Sequence, residues 1–187
     1  PQGQRCAQAI AAQSEKLQAL MEALVKSSRL ETGILALHPE PGPLSPMVER
    51  AAAQYLSKAQ AKQIRLSVGQ MRGSALFDPK WTEEALCNLL DNAVKYTPAG
   101  GRVSVEIRPY EMFTAVCVQD TGPGIPEAEQ AKIFGRFYRA PSAYQTEGVG
   151  IGLYLTRQIA AGQGGYIKVE SSPGAGSIFS LYLPRES

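Results

Sequence analysis

Asn88, Asn92 and Lys95 recur at intervals of four and three in the stretch NLLDNAVKYTPAGG, residues 88–101. On a helix each residue turns by about 100°, so the three fall within an arc of about 60°, roughly opposite Leu86, Leu89, Leu90 and Ala93. Asparagine is a poor helix former, because its short side chain competes for nearby backbone groups. A solvated helix face accounts for such a trio without any chemistry, so other stretches must decide. One is DTGPGIP, residues 120–126. Asp120 ends a run of β-forming residues, where its carboxylate can accept a hydrogen bond from an amino group, while Gly122 and Gly124 let the backbone come close to a ligand. The same letters also make an ordinary turn. A further stretch is GVGIGLYL, residues 148–155, with glycines at alternate positions before an apolar helix. That arrangement can offer backbone amides at a helix N-terminus to phosphate. It is neither the GxGxxG dinucleotide fingerprint nor a Walker loop, which ends in GK[ST].

These residues need elements to hold them. From Arg5 to Leu30 there is no proline or glycine, and Leu17, Leu20, Met21, Leu24 and Ser28 keep helical spacing, which predicts one long opening helix. HPEPGPLSP, with four prolines and a glycine in nine residues, cannot continue it and reads as a linker. Beyond it the pattern predicts a helix over 46–61, strands near 64–68 and 74–78, and the asparagine-bearing helix, started by Asp78 and Pro79. Val103, Val105 and Ile107 alternate with polar neighbours, FTAVCVQD is β-rich, and Ile167, Val169, Phe179, Leu181 and Leu183 repeat the period of two. Between them lie a short helix near 127–134, a polar stretch over 135–147 and a helix from about Gly150. There is no internal repeat.

Composition narrows the partners. The 187 residues are 44% hydrophobic, the material of one ordinary globular domain with an appendage. With 19 Lys and Arg against 17 Asp and Glu, the charge of +2 is too even to make nucleic acid or an acidic membrane the principal partner. Cys6, Cys87 and Cys117 are odd in number and without CxxC pairing, which argues against a disulfide framework or zinc site and for a reducing compartment. No run reaches the roughly 18 apolar residues of a membrane span.

Taken in order, NLLDNAVKYT, DTGPGIP, IFGRFYR, GVGIGLYL and GAGSIFSLYLP resemble the N box, first glycine box, F box, second glycine box and final glycine box of the sensor histidine kinase catalytic domain, in the GHKL ATP-binding superfamily. The resemblance spans residues 45–184, and the helix ending LVKSSRLETGILAL is similar to the second helix of the kinases' dimerisation and phosphoacceptor hairpin. It implies an α/β fold: a two-layer sandwich of the Bergerat type, with a mixed, mostly antiparallel sheet carrying helices on one face and one long helix ahead of it. The expected organisation is a hairpin-like helix over 1–37, a linker over 38–45 and a catalytic domain over 46–187. The implied cofactors are ATP and magnesium. Asn92, with Asn88 beside it, would ligate the ion through hard amide oxygens. Lys95 would face the phosphates, Tyr96 would help close the site, and Asp120 would receive the adenine amino group between Gly122 and Gly124. Phe134 and Phe137 would pack the base of a mobile lid over 139–147, and Arg139 could contact phosphate. Gly148, Gly150 and Gly152 would form the lid end and phosphate turn, and Ile125, Ile151 and Leu153 complete the nucleotide site that the family implies.

One departure matters. The family phosphorylates a histidine followed by an acidic residue on the first hairpin helix, and no such segment occurs here; the only histidine, His38, precedes Pro39 in the proline-rich stretch. The acceptor is therefore expected on the missing part of the hairpin, with a response regulator as the onward partner and a homodimer in the full-length protein. No nucleic acid or direct membrane contact is expected of this segment, which would be the cytoplasmic part of a membrane-anchored bacterial protein. Hydrolysing members of the superfamily place a glutamate where Asn88 stands, and an amide cannot take a proton from water. A serine kinase of the anti-sigma-factor type, a GHKL ATPase and a non-enzymatic nucleotide-binding module are the alternatives.

Overall fold

Helix α1 (Gln2–Glu31) forms the first of two units, residues 1–36. It closes with the Thr32 hydroxyl donating to Ser28 O at 2.8 Å. Its apolar spacing is real, yet Leu17 and Met21 are each 58% exposed, so the stripe lies open along the helix. The computed structural model describes residues 2–32, 36–140 and 148–185. Among them no helix is long and apolar enough to cross a membrane.

The second unit, residues 37–187, runs β1 (Glu40–Pro43), α2 (Ser45–Ala61), β2 (Arg65–Val68), β3 (Ser74–Phe77), α3 (Pro79–Tyr96), β4 (Arg102–Pro109) and β5 (Phe113–Asp120). A short α4 (Glu127–Gln130) and a 3-10 turn (Lys132–Phe134) follow, then α5 (Gly152–Gly162), β6 (Tyr166–Ser172) and β7 (Gly176–Pro184). Five strands make one sheet in the order β2-β4-β5-β7-β6, parallel at β2–β4 and antiparallel elsewhere. The period-two residues face one way: Val103, Val105, Ile107, Val116, Leu181 and Leu183 are buried against α2, α3 and α5. The other face carries Glu106, Arg108 and Lys168, with Tyr166 stacked on Tyr182 at 4.5 Å. This is a two-layer sandwich with helices on one side. Each fully buried leucine of α3 contributes about 1.5–3 kcal/mol, so the helix is fixed through Leu86, Leu89 and Leu90.

The stretch read as a linker differs. Residues 40–43 pair antiparallel with β3, and Leu44 is fully buried. Proline lacks the amide a central strand needs but is tolerated in a two-stranded edge pair, where half the donors face outward, so Pro41 and Pro43 do not prevent pairing. The amide of His38 donates to Asp78 Oδ2 at 3.0 Å, which ties this entry strand to the start of α3. Gln163 at the end of α5 completes the junction, its Oε1 accepting from Asp78 N at 2.5 Å and Thr82 Oγ1 at 3.1 Å.

Candidate active site

Helix α3 is held at both ends. Asp78 Oδ1 accepts the Trp81 amide at 3.1 Å as an N-cap ahead of Pro79. At the other end Lys62 Nζ donates to the carbonyls of Val94 at 3.0 Å and Lys95 at 2.6 Å, a cation at the negative end of the helix dipole. Sequence reasoning gave no role to Lys62, which meets α3 from 33 residues away. With the apolar face in the core, Asn88, Asn92, Lys95 and Tyr96 are left half-buried.

The glycine string meets this arc directly. Asn88 Nδ2 donates to Gly152 O at 3.4 Å, where α5 begins, so the first turn of α5 lies beside Asn88. Gly148 packs against Lys95 Nζ so closely that a Cβ there would collide with the amine, and its φ of +149° suits glycine. Lys95 Nζ also lies 5.2 Å from the Tyr96 ring centroid. Arg139 packs on Gly150, and burial holds the Tyr96 hydroxyl above its ordinary value against an opposing pull from Arg139.

Asp120 closes the other side. It is only 6% exposed, and its Oδ1 accepts the Gly122 amide at 2.7 Å. Burial pushes its carboxyl above the ordinary value, against the opposing pull of the Gly122 and Ser177 amides. Gly122 in turn packs against the Tyr96 carbonyl, so the carboxylate loop and the end of α3 touch. Ser177 faces Asp120 in the β5–β7 register and belongs to this site. Its signal was present in GAGSIFSLYLP, where only the glycines draw attention.

The remaining expectations divide. Phe134 is buried and meets Phe179 edge-on at 6.4 Å, as a packing residue should. Phe137 is 49% exposed and adopts φ of +62°, a left-handed backbone conformation. Ile151 is buried and Leu153 half-buried at the start of α5. Ile125 donates its amide to Ser171 Oγ at 2.8 Å. Of the stretch expected as a lid, residues 141–147 lie outside the described residues.

The donor set fits a divalent cation that leans on its ligand. Among the described residues no three His, Cys, Asp or Glu side chains converge, so a cation here would rest on amide oxygens and on phosphate, the sparse protein coordination magnesium accepts. Asn88 commits its amino group to Gly152, which leaves its oxygen for such a role. Cys87, next in sequence, points instead toward Gln54 on α2, and burial pushes its thiol up to about 11, so it is a neutral thiol at neutral pH.

A half-buried pair of amides, an amine, a helix N-terminus and a buried carboxylate at a strand end, on a two-layer sandwich, define a nucleotide-binding α/β domain. Residues 77–187 match the family described as histidine kinase-, DNA gyrase B- and HSP90-like ATPase. The chain belongs to that family. Among the relatives it matches, the adaptive-response sensory kinase SasA of Synechococcus sp. (strain JA-3-3Ab) is 37% identical over 92% of this chain and 46% of that protein. The signal transduction histidine-protein kinase/phosphatase MprB of Mycolicibacterium smegmatis (strain ATCC 700084 / mc(2)155) is 32% identical over 94% of this chain and 36% of that protein. The chain thus spans less than half the length of these relatives. A solved structure of the mycobacterial sensor histidine kinase MprB covers 80% of this chain and 99% of its own, with 27% identity and a TM-score of 0.68. Full-length ShkA in complex with AMPPNP shares the fold over 98% of this chain and 39% of its own, at 24% identity and a TM-score of 0.84.

Proposed function

We propose that this chain is the ATP-binding catalytic domain of a sensor histidine kinase in two-component signalling, and that it transfers the γ-phosphoryl group of ATP to a histidine on a dimerisation hairpin. The observation that carries this reading is the meeting of Asn88 with Gly152 at the start of α5, which sets the amide arc of α3 against a helix N-terminus. Asp120 takes the adenine amino group. Lys95 and the first amides of α5 draw the phosphates, and Asn92 with Asn88 holds the magnesium. That ion, when bound, neutralises charge on the phosphate oxygens. Positioning and charge do most of the catalytic work in phosphoryl transfer, and this site supplies both. Because Asn88 is an amide, it cannot activate water, which favours transfer over hydrolysis. The open stripe of α1 supports its place in a hairpin that dimerises in the parent protein. An aspartate on a response regulator then takes the phosphoryl group, and the whole reaction runs on the cytoplasmic side of a bacterial membrane.

His38 is not the acceptor in this reading, since it stands outside any helix with its amide tied to Asp78. Incubated with radiolabelled ATP and magnesium, this chain should bind nucleotide but gain no acid-labile label. A separate hairpin bearing the parent's acceptor histidine should become labelled when mixed with it. Label at His38 that is lost in His38→Ala, or an intact hairpin that stays unlabelled, would overturn the assignment.

A further inference from the structure

The loop from Asp120 to α4 carries Gly122 and Gly124, and its far end is fastened by side chains from outside the loop. Ile125 N donates to Ser171 Oγ at 2.8 Å, across 46 residues of sequence. The Ile125 carbonyl accepts from Gln130 Nε2 at 3.0 Å, and the same Nε2 donates to Ser171 O at 2.8 Å. Both main-chain polar groups of Ile125 are therefore taken by side chains, one from β6 and one from α4. The Ser171 hydroxyl donates onward to Gly176 O at 2.8 Å and lies 2.9 Å from Ser177 Oγ. Ser177 faces Asp120 in register and its amide donates to that carboxylate.

The backbone confirms how tightly the two segments meet. Gly124 has φ of +73°, and any Cβ there would run into the carbonyl of Ser172 on the β6–β7 hairpin. The Gly174 amide of the same hairpin donates to Pro123 O at 2.6 Å. A loop anchored at Asp120 alone would pivot about that residue. Fastened at Ile125 as well, it holds the gap between Asp120 and the glycines at one width.

We infer that Ser171 and Gln130 are positioning residues for recognition of the base: they set the loop through Ile125, and Ser171 also steadies Asp120 through Ser177. The inference rests on the reading of Asp120 as the acceptor of the adenine amino group. Neither residue touches the base; they act on the groups that do.

The test compares ADP with IDP, whose hypoxanthine presents a carbonyl where adenine has its amino group. The wild-type chain, titrated calorimetrically with magnesium present, should prefer ADP. In Ser171→Ala the ADP to IDP preference should fall about five- to tenfold, the worth of one well-placed hydrogen bond, and Ser171→Thr should restore it. Gln130→Ala should lower the same ratio; lying on a short, half-exposed helix, it serves as the deciding variant should Ser171→Ala fold poorly. A merely structural role lowers the melting temperature and weakens both nucleotides alike. An unchanged ratio in Ser171→Ala and Gln130→Ala, whatever happens to melting, would overturn the positioning role. A wild-type chain that binds ADP and IDP equally would instead overturn the reading of Asp120 and the inference with it.

Discussion

Replacing Asp120 with Asn separates the two burdens of its carboxylate: it is costly to bury and, in the proposed reading, it takes the amino group of the base. The group is 6% exposed and its carboxyl is raised by burial. The folded state holds that proton more firmly than the unfolded chain. Its contribution to stability is therefore full below the unfolded value and is lost as pH rises through the raised folded value. At neutral pH the ionised group is a liability that the Asp120→Asn substitution removes. The oxygen of the substituted side-chain amide can still accept the Gly122 amide, which now sits 2.7 Å from Oδ1 of Asp120, so the loop keeps its turn. What is lost is the second acceptor. The new amide nitrogen would face the adenine amino group, donor against donor, and one hydrogen bond to a charged acceptor disappears. Such a bond is worth about 1.5–3 kcal/mol, so the dissociation constant for ADP should rise roughly 10- to 150-fold. Calorimetry at neutral pH measures that, and thermal melting without nucleotide checks that the Gly122 and Ser177 amides keep an acceptor. The pH dependence supplies a further check. In the wild type, ADP affinity should begin to fall on acidification at a higher pH than for an ordinary carboxylate, and this component should be absent from the variant. A dissociation constant within twofold of wild type would remove Asp120 from the base site. Parallel losses of affinity and melting temperature would mean that the substitution damaged the loop rather than the contact.

Asn92→Ala should weaken the magnesium-dependent part of ATP binding while leaving adenosine binding nearly unchanged, because in the proposed reading the lost oxygen acts through the phosphates; titrations with and without magnesium separate the two, and equal losses would point to a damaged fold. Thr97, at the C-terminus of α3, is fully buried, and its Oγ1 is a buried side-chain atom without a hydrogen-bond partner among the described residues. Thr97→Val keeps the shape and removes that hydroxyl, so it should stabilise the chain by about 1 kcal/mol, read as a rise in melting temperature of about 2–4 °C; a fall would mean that the hydroxyl has a partner such as an enclosed water.

What was legible in the sequence was local. Asp78 and Pro79 announce α3, and the period of two marks β4 and β7, because capping and burial act within one element. The amide arc could be drawn for the same reason, and Asp120 stood out as a charge at the end of an apolar strand. Strand β1 was not legible, since Glu40–Pro43 carries turn-forming letters and pairs only because β3 offers it an edge. Ser171, Gln130 and Lys62 were equally silent: their work is defined by partners on other elements, and serine, glutamine and lysine on a surface ordinarily need no explanation. Phe137 adopts a left-handed backbone angle that no spacing reveals.

The pairing of β5 with β7 also bears on how the chain folds and lets go. The β4–β5 and β6–β7 hairpins are each local, but Asp120 and Ser177 are neighbours across a seam between the two, 57 positions apart in sequence. Contacts of that range form against a larger loop-closure entropy than hairpins do. The carboxylate belongs to one half while Ser177 and Ser171 belong to the other, so neither hairpin alone assembles its surroundings. Nucleotide held by Asp120 would therefore favour the joined state, in which that carboxylate is steadied from across the seam. At a free concentration about 100 times the dissociation constant it adds about 2.7 kcal/mol to the stability of the joined state, and it should act chiefly by slowing the rate at which the two halves part.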